Sequence, residues 1–257
     1  MARCWADSLG DCNDQQSREH VVSRGLFNSP DIEVSGFPWC KESKRIGLNA
    51  LTSKILCSKH NNALSPLDQA AIDVFDAFRE QSRVANAFPR GSIPTAFSRS
   101  AIDALRVERW LLKTLVNLAY GNALFISHDG VSPGEPTKEL VEIVFGLRKF
   151  SGRAGMYVAA KPGITLKSQD TVEFGPLIKD DERILGGLFI LRGFHLVLCL
   201  TPEGVGVGGF TFNKTLGPPW SGMALNRPFD RVDYTPIPQF VAHQIVFDWR
   251  ASRPASR

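Results

Sequence analysis

The N-terminal stretch carries Cys4, Cys12, Cys57 and His60, four donors of the kind that close a tetrahedral metal site, with a Glu19-His20 pair between them. Cys57 and His60 stand two residues apart, at the start of a helix. That spacing lets a thiolate sulfur and an imidazole nitrogen converge on one zinc ion. Cys4 and Cys12 supply the other pair, with seven intervening residues, so a long loop must present both thiolates. Cys40, in Phe37-Pro38-Trp39-Cys40, is the alternative to Cys12, whereas Cys199 sits in an apolar run and reads as core. Five cysteines, an odd number concentrated at the N-terminus, suit metal ligation in a reducing compartment better than a disulfide framework.

The elements that must position these residues fall into three regions. Residues 1–68 hold the cysteines in short, polar, broken structure. Residues 69–150 continue a helical pattern that opens at Ser65-Pro66, with Ser65 as N-cap and Leu67, Ala71, Val74, Phe75 and Phe78 on one face. After a connector at Phe88–Pro94, a second helix is expected from near Ser100 to Gly121, with Asp103 in its first turn. It is apolar on more than one face, which predicts a central position. A third helix is expected from Pro136 to Phe150, after a turn that includes His128-Asp129-Gly130.

Residues 151–257 read as β-rich. Expected strands are Met156–Ala160, Thr171–Phe174, Leu188–Leu191 and Phe194–Leu200, with Arg192-Gly193 as a two-residue hairpin turn. Gly204–Phe210 and Ala242–Phe247 are further β candidates. Gly204-Val205-Gly206-Val207-Gly208-Gly209 matches a dinucleotide-binding pattern in letters, but Phe210-Thr211-Phe212 follows where a helix would be required. His195 is a strand residue, no serine has a nucleophile-elbow context, and Arg250, Arg253 and Arg257 form a basic tail.

Composition is that of a globular chain: 257 residues, 43% hydrophobic and 22% charged. No apolar run is long enough to span a membrane and no apolar signal region opens the chain, so cytoplasmic residence is expected. The net charge of +4 permits nucleic-acid binding without demanding it. Such binding needs local clustering of Lys41, Lys44, Arg45, Lys54 and Lys59.

The runs Arg18-Glu19-His20-Val21-Val22-Ser23-Arg24-Gly25-Leu26-Phe27 and Lys54-Ile55-Leu56-Cys57-Ser58-Lys59-His60-Asn61-Asn62 resemble the HNH endonucleases over about residues 1–68. In that family a ββα unit, often carried on a zinc-stabilised treble clef, holds the site. The resemblance implies Cys4, Cys12, Cys57 and His60 as the structural zinc ligands and His20 as general base. It implies Glu19 or Asn61 as contacts of a catalytic Mg²⁺ or Mn²⁺. Imidazole suits the deprotonation of water near neutral pH, and oxygen donors suit magnesium.

The chain departs from the family pattern at three points. Cys4 and Cys12 are widely spaced, His60 stands where cysteine is common, and Thr52 occupies the middle Asn position. Asn49 is the nearby residue that takes over only if the loop shifts.

These residues predict an α+β chain with an N-terminal zinc-bearing HNH-like ββα unit, a helical middle and a β-rich C-terminal region. The expected activity is metal-dependent hydrolysis of phosphodiester bonds in DNA. The alternative is a non-catalytic zinc-stabilised module that binds nucleic acid or protein, favoured by Thr52. A third option is a sensor whose C-terminal region binds a regulatory ligand or forms a homo-oligomer.

Overall fold

A computed structural model describes residues 4–35, 40, 42–87, 98–122, 124–126, 130, 132–160, 171–178, 183–202, 211–212, 224–226 and 243–250. The chain is α+β. The expected connector Phe88–Pro94, the His128-Asp129 turn, the Gly204–Phe210 strand, Lys41, Arg253 and Arg257 lie outside the described residues.

The N-terminal region contains strands β1 (Gln16–His20), β2 (Asp31–Val34), β3 (Lys44–Gly47) and β4 (Thr52–Cys57). β1 and β4 pair antiparallel, with His20 opposite Thr52 and Gln16 opposite Cys57. The register shifts between Ser17 and Glu19, where β4 carries one extra residue. The intervening chain folds back as the antiparallel pair β2–β3, which buries Val34, Cys40 and Leu51 in a small cluster of its own. β4 leads directly into α1 (Ser58–Ala63), and a single turn residue, Leu64, separates it from α2 (Ser65–Ala87).

The second expected helix begins later than its sequence suggests. Ser98–Asp103 forms a strand, β5, and helix α3 (Ala104–Gly121) starts only after it, with the Asp103 carboxylate accepting the Arg106 N–H at 3.0 Å as N-cap. The reason is tertiary: β5 pairs in parallel with a C-terminal strand, His243–Asp248, from His243 opposite Ser98 to Asp248 opposite Asp103. α3 is central, as its apolar circumference predicts. Trp110, Leu111, Leu112, Leu115 and Val116 are fully buried, and so are the polar Lys113 and Asn117.

The third helix, α4 (Lys138–Val144), is shorter than expected. Thr137 caps its start, and Gly146, at φ +75°, turns the chain out of the helix soon after Val144.

A six-stranded sheet packs against α3. It comprises β6 (Gly155–Ala160), β7 (Val172–Ile178), β8 (Ile184–Leu191), β9 (Phe194–Cys199), β10 (Thr211–Phe212) and β11 (Ala224–Asn226), in the order β10-β7-β8-β9-β6-β11. The C-terminal strand His243–Asp248 is β12. Arg192 and Gly193, both with positive φ, make the hairpin turn between β8 and β9. β8 reaches back beyond Leu188 through Gly186-Gly187. A side chain at Gly186 would lie 2.2 Å from the Leu198 carbonyl oxygen, so this glycine is part of the strand rather than a break in it.

One hydrophobic cluster runs through all three regions, from Trp5 and Leu56 through Phe75, Phe78 and Trp110 to Phe189 and Phe247. Among the described residues, no helix is long and apolar enough to cross a membrane.

Candidate metal centre

Three separate pieces of chain deliver the four donors. The segment holding Cys4 is pinned to β4 by the Trp5 N–H, which donates to the Ile55 carbonyl at 3.0 Å. A single turn of 3-10 helix, Asp7–Leu9, ends at Gly10 with φ +78° and returns the chain toward Cys12. Cys57 is the last residue of β4 and the N-cap position of α1, and His60 lies in the first turn of that helix.

The imidazole Nδ1 of His60 stands 3.2 Å from Cys57 Sγ, 3.4 Å from Cys4 Sγ and 3.5 Å from Cys12 Sγ. All four ligand atoms lie within 4.8 Å of one another. A zinc ion with thiolates at about 2.3 Å and imidazole at about 2.0 Å would set nitrogen–sulfur edges of roughly 3.5 Å, so the cluster can hold a metal ion such as zinc. Cys40 is not part of it. Its Sγ faces the carbonyls of Val34, at 3.5 Å, and Glu42, at 3.2 Å, beside β2.

The surroundings orient His60 as a ligand through Nδ1. Its other nitrogen, Nε2, is 2.8 Å from Asp11 Oδ1, and Asp11 Oδ2 also accepts from Lys59 Nζ at 2.5 Å. A carboxylate behind a ligating imidazole fixes the tautomer and the ring orientation. The edge of the ring meets Phe145, just after α4, at 5.2 Å between centroids. Neither Asp11 nor Phe145 carries a sequence signal for this role.

The three thiols differ. Burial pushes Cys4 up. Burial, with the neighbouring Cys4 and Cys57, pushes Cys12 up to about 12. Burial acts the same way on Cys57, but backbone N–H groups of His60 and Asn13 hydrogen-bond its sulfur and hold its pKa below the ordinary value. Cys57 is therefore the most readily ionised of the three, as its place at a helix start requires.

Glu19 and His20 point to opposite sides of β1. Glu19 is 4% exposed and turned inward, where its Oε1 lies 2.6 Å from Lys113 Nζ and 3.4 Å from Asn117 Nδ2. Lys113 also donates to Asp68 at 2.8 and 2.9 Å, Asp68 accepts from Ser23, and the Trp110 indole donates to Ser23 at 2.8 Å. Trp5 completes the network by donating to Asn117 at 3.0 Å. Burial raises the Glu19 pKa and Lys113 opposes the rise. This closed ion-pair network does not fit the open, oxygen-lined cation site expected of Glu19. The sequence could not reveal Lys113 as its partner, because that residue lies far along the chain.

His20 is half-buried. Its ring Nε2 is itself buried from solvent and has no hydrogen-bond partner among the described residues, and the Asn49 side chain is near enough to influence the ring. Burial lowers its pKa, the positive charges of Arg24 and Lys113 act the same way, and Asp68 and Asn49 oppose them. Thr52, at the position expected for a middle Asn, instead donates its hydroxyl to the Asn49 carbonyl at 2.8 Å and closes the turn that presents Asn49. Asn61, on α1, donates from Nδ2 to Ser17 Oγ on β1 at 2.8 Å, which leaves its Oδ1 without a hydrogen bond among the described residues.

The chain matches no protein-family model, no curated protein and no solved structure.

Proposed function

We propose that the chain is a metal-dependent endonuclease of HNH type that hydrolyses phosphodiester bonds in DNA, with His20 as the general base. The observation that carries this reading is the environment of His20. A half-buried imidazole, depressed in pKa, has Asn49 near enough to influence it, and its buried Nε2 has no hydrogen-bond partner among the described residues. It sits on β1 of a β1–β4–α1 arrangement whose far end is closed by the Cys3His cluster.

In this mechanism the neutral His20 ring accepts a proton from a water whose oxygen attacks the phosphorus. The bond from phosphorus to the leaving oxygen breaks, and that oxygen takes a proton from a solvent water on departure. In this reading Asn61 Oδ1 would be the oxygen offered to a divalent cation, and Glu19 anchors β1 to α3 instead of binding metal. A bound Mg²⁺ or Mn²⁺ would supply charge neutralisation at the phosphate and the leaving oxygen. Cys4, Cys12, Cys57 and His60 would hold zinc as the structural ion.

A second reading, a non-catalytic zinc-stabilised binding module, is favoured by one observation: the carboxylate beside His20 is committed to Lys113. Plasmid nicking with Mg²⁺ or Mn²⁺ separates the two. Nicking by the wild type that His20→Ala abolishes, with zinc content and melting unchanged, supports the enzyme. Absence of wild-type nicking, or equal activity in the variant, leaves the binding module.

A further inference from the structure

The cations of this chain are unequally employed. Arg45, Lys59, Arg83 and Arg148 each lie within 4.0 Å of a carboxylate. Arg18, Arg24 and Lys54 are exposed and, among the described residues, take part in no ion pair or hydrogen bond through their side chains. Arg18 and Lys54 lie on one side of His20 and Arg24 follows it in the chain. On β1, Arg18 and His20 flank the inward-facing Glu19, so strand alternation puts both on the opposite face. On β4, Lys54 is the exposed residue of the strand and lies at the register shift opposite Arg18, on the Arg18 side of the His20–Thr52 pair. Arg24, in the turn after β1, is close enough for its charge to act on the His20 ring.

No carboxylate competes with these cations on their own strands. Glu19, the one acid of β1, faces inward to Lys113, and β4 carries none. Exposed cations without partners beside an imidazole are suited to a polyanion passing over the face. Residues two apart on a strand are separated by roughly 7 Å, comparable with the spacing of neighbouring backbone phosphates.

We infer that the outer face of the β1–β4 pair binds the backbone of double-stranded DNA, with Arg18 and Lys54, neighbours across the two strands, holding the phosphates next to the one presented to His20. This rests on the nuclease reading of the same face and assigns its substrate contacts. Phosphate contacts of this kind fix the position of a duplex without reading its sequence, so binding is salt-dependent and sequence-tolerant.

The test uses the full chain and a fluorescent duplex, with Ca²⁺ in place of Mg²⁺ so that binding is read without cleavage. The double variant R18A/K54A should weaken binding about tenfold or more, and should reduce the slope of log K against log salt by about two. Lys138→Ala, an exposed cation on α4, should change neither. With Mg²⁺, R18A/K54A should raise the DNA concentration needed for half-maximal nicking while retaining the rate at saturation. Unchanged affinity and slope in R18A/K54A, an equal loss in Lys138→Ala, or no duplex binding by the wild type would overturn the inference. If R18A/K54A weakens binding as expected but the wild type never nicks, the DNA-binding face stands and the nuclease reading fails. If the wild type nicks and R18A/K54A binds and nicks like it, the nuclease stands and this face is not its DNA contact.

Discussion

Lys113 Nζ lies 2.6 Å from Glu19 Oε1, and the same ammonium holds both oxygens of Asp68 within 2.9 Å. A buried cation on α3 thus fastens β1, the strand of His20, to the first turn of α2. Replacing Lys113 with methionine would leave two carboxylates facing each other, Glu19 in the interior. Breaking a buried pair from one side costs about 3–5 kcal/mol. Chemical denaturation should show a loss of that order for Lys113→Met, while the double variant Lys113→Met with Glu19→Gln should recover part of it.

Asp11 is expected to act on the metal only through His60. Asp11→Asn should keep the four ligands and the fold but weaken zinc about 10–100-fold. Competition with a chromophoric chelator measures this. An unchanged affinity would mean that the contact between Asp11 and His60 does not support the ligand. Cys57→Ala, in contrast, should remove the metal outright.

Asn49 and Thr52 should separate in nicking assays. Asn49→Ala removes the side chain that lies near the His20 ring, and misplacement of a catalytic group by about 1 Å costs on the order of 10²-fold in rate. Thr52→Ala removes only the hydroxyl that closes the turn and should cost far less. Equal losses in the two variants would show that the turn, rather than the Asn49 side chain, governs the ring.

The pH dependence follows from the direction of the His20 shift. Burial, assisted by Arg24, lowers its pKa below 6.5, so the ring is neutral and able to accept a proton at pH 7. Nicking at saturating DNA should therefore be level around neutrality and fall only on the acid side, with a midpoint below 6.5. Arg24→Ala removes a charge that disfavours the imidazolium, so its acid limb should move to higher pH. A limb that stays in place would assign the shift to burial alone.

Sequence carried the cluster of donors and much of the helical and hairpin structure, because those signals are local. Cys57 and His60 announce themselves by spacing, α2 by Ser65-Pro66, and the β8–β9 turn by Arg192-Gly193. What it hid depends on partners far along the chain. Ser98–Asp103 reads as a helix approach until β12 pairs with it, and Glu19 reads as a metal ligand until Lys113 claims it. Asp11 looks like an ordinary loop polar residue, and only the folded turn brings it to His60.

The pairing of β5 with β12 sets the order of assembly. During synthesis the cysteine-bearing end and α2 emerge first, yet β12, with Phe247 in the shared cluster, packs against α2 and α3. A growing polypeptide on the ribosome must therefore wait for a late strand before its earliest segments gain their full interior packing. Truncations that remove β12 should damage the oldest part of the molecule, not only its newest.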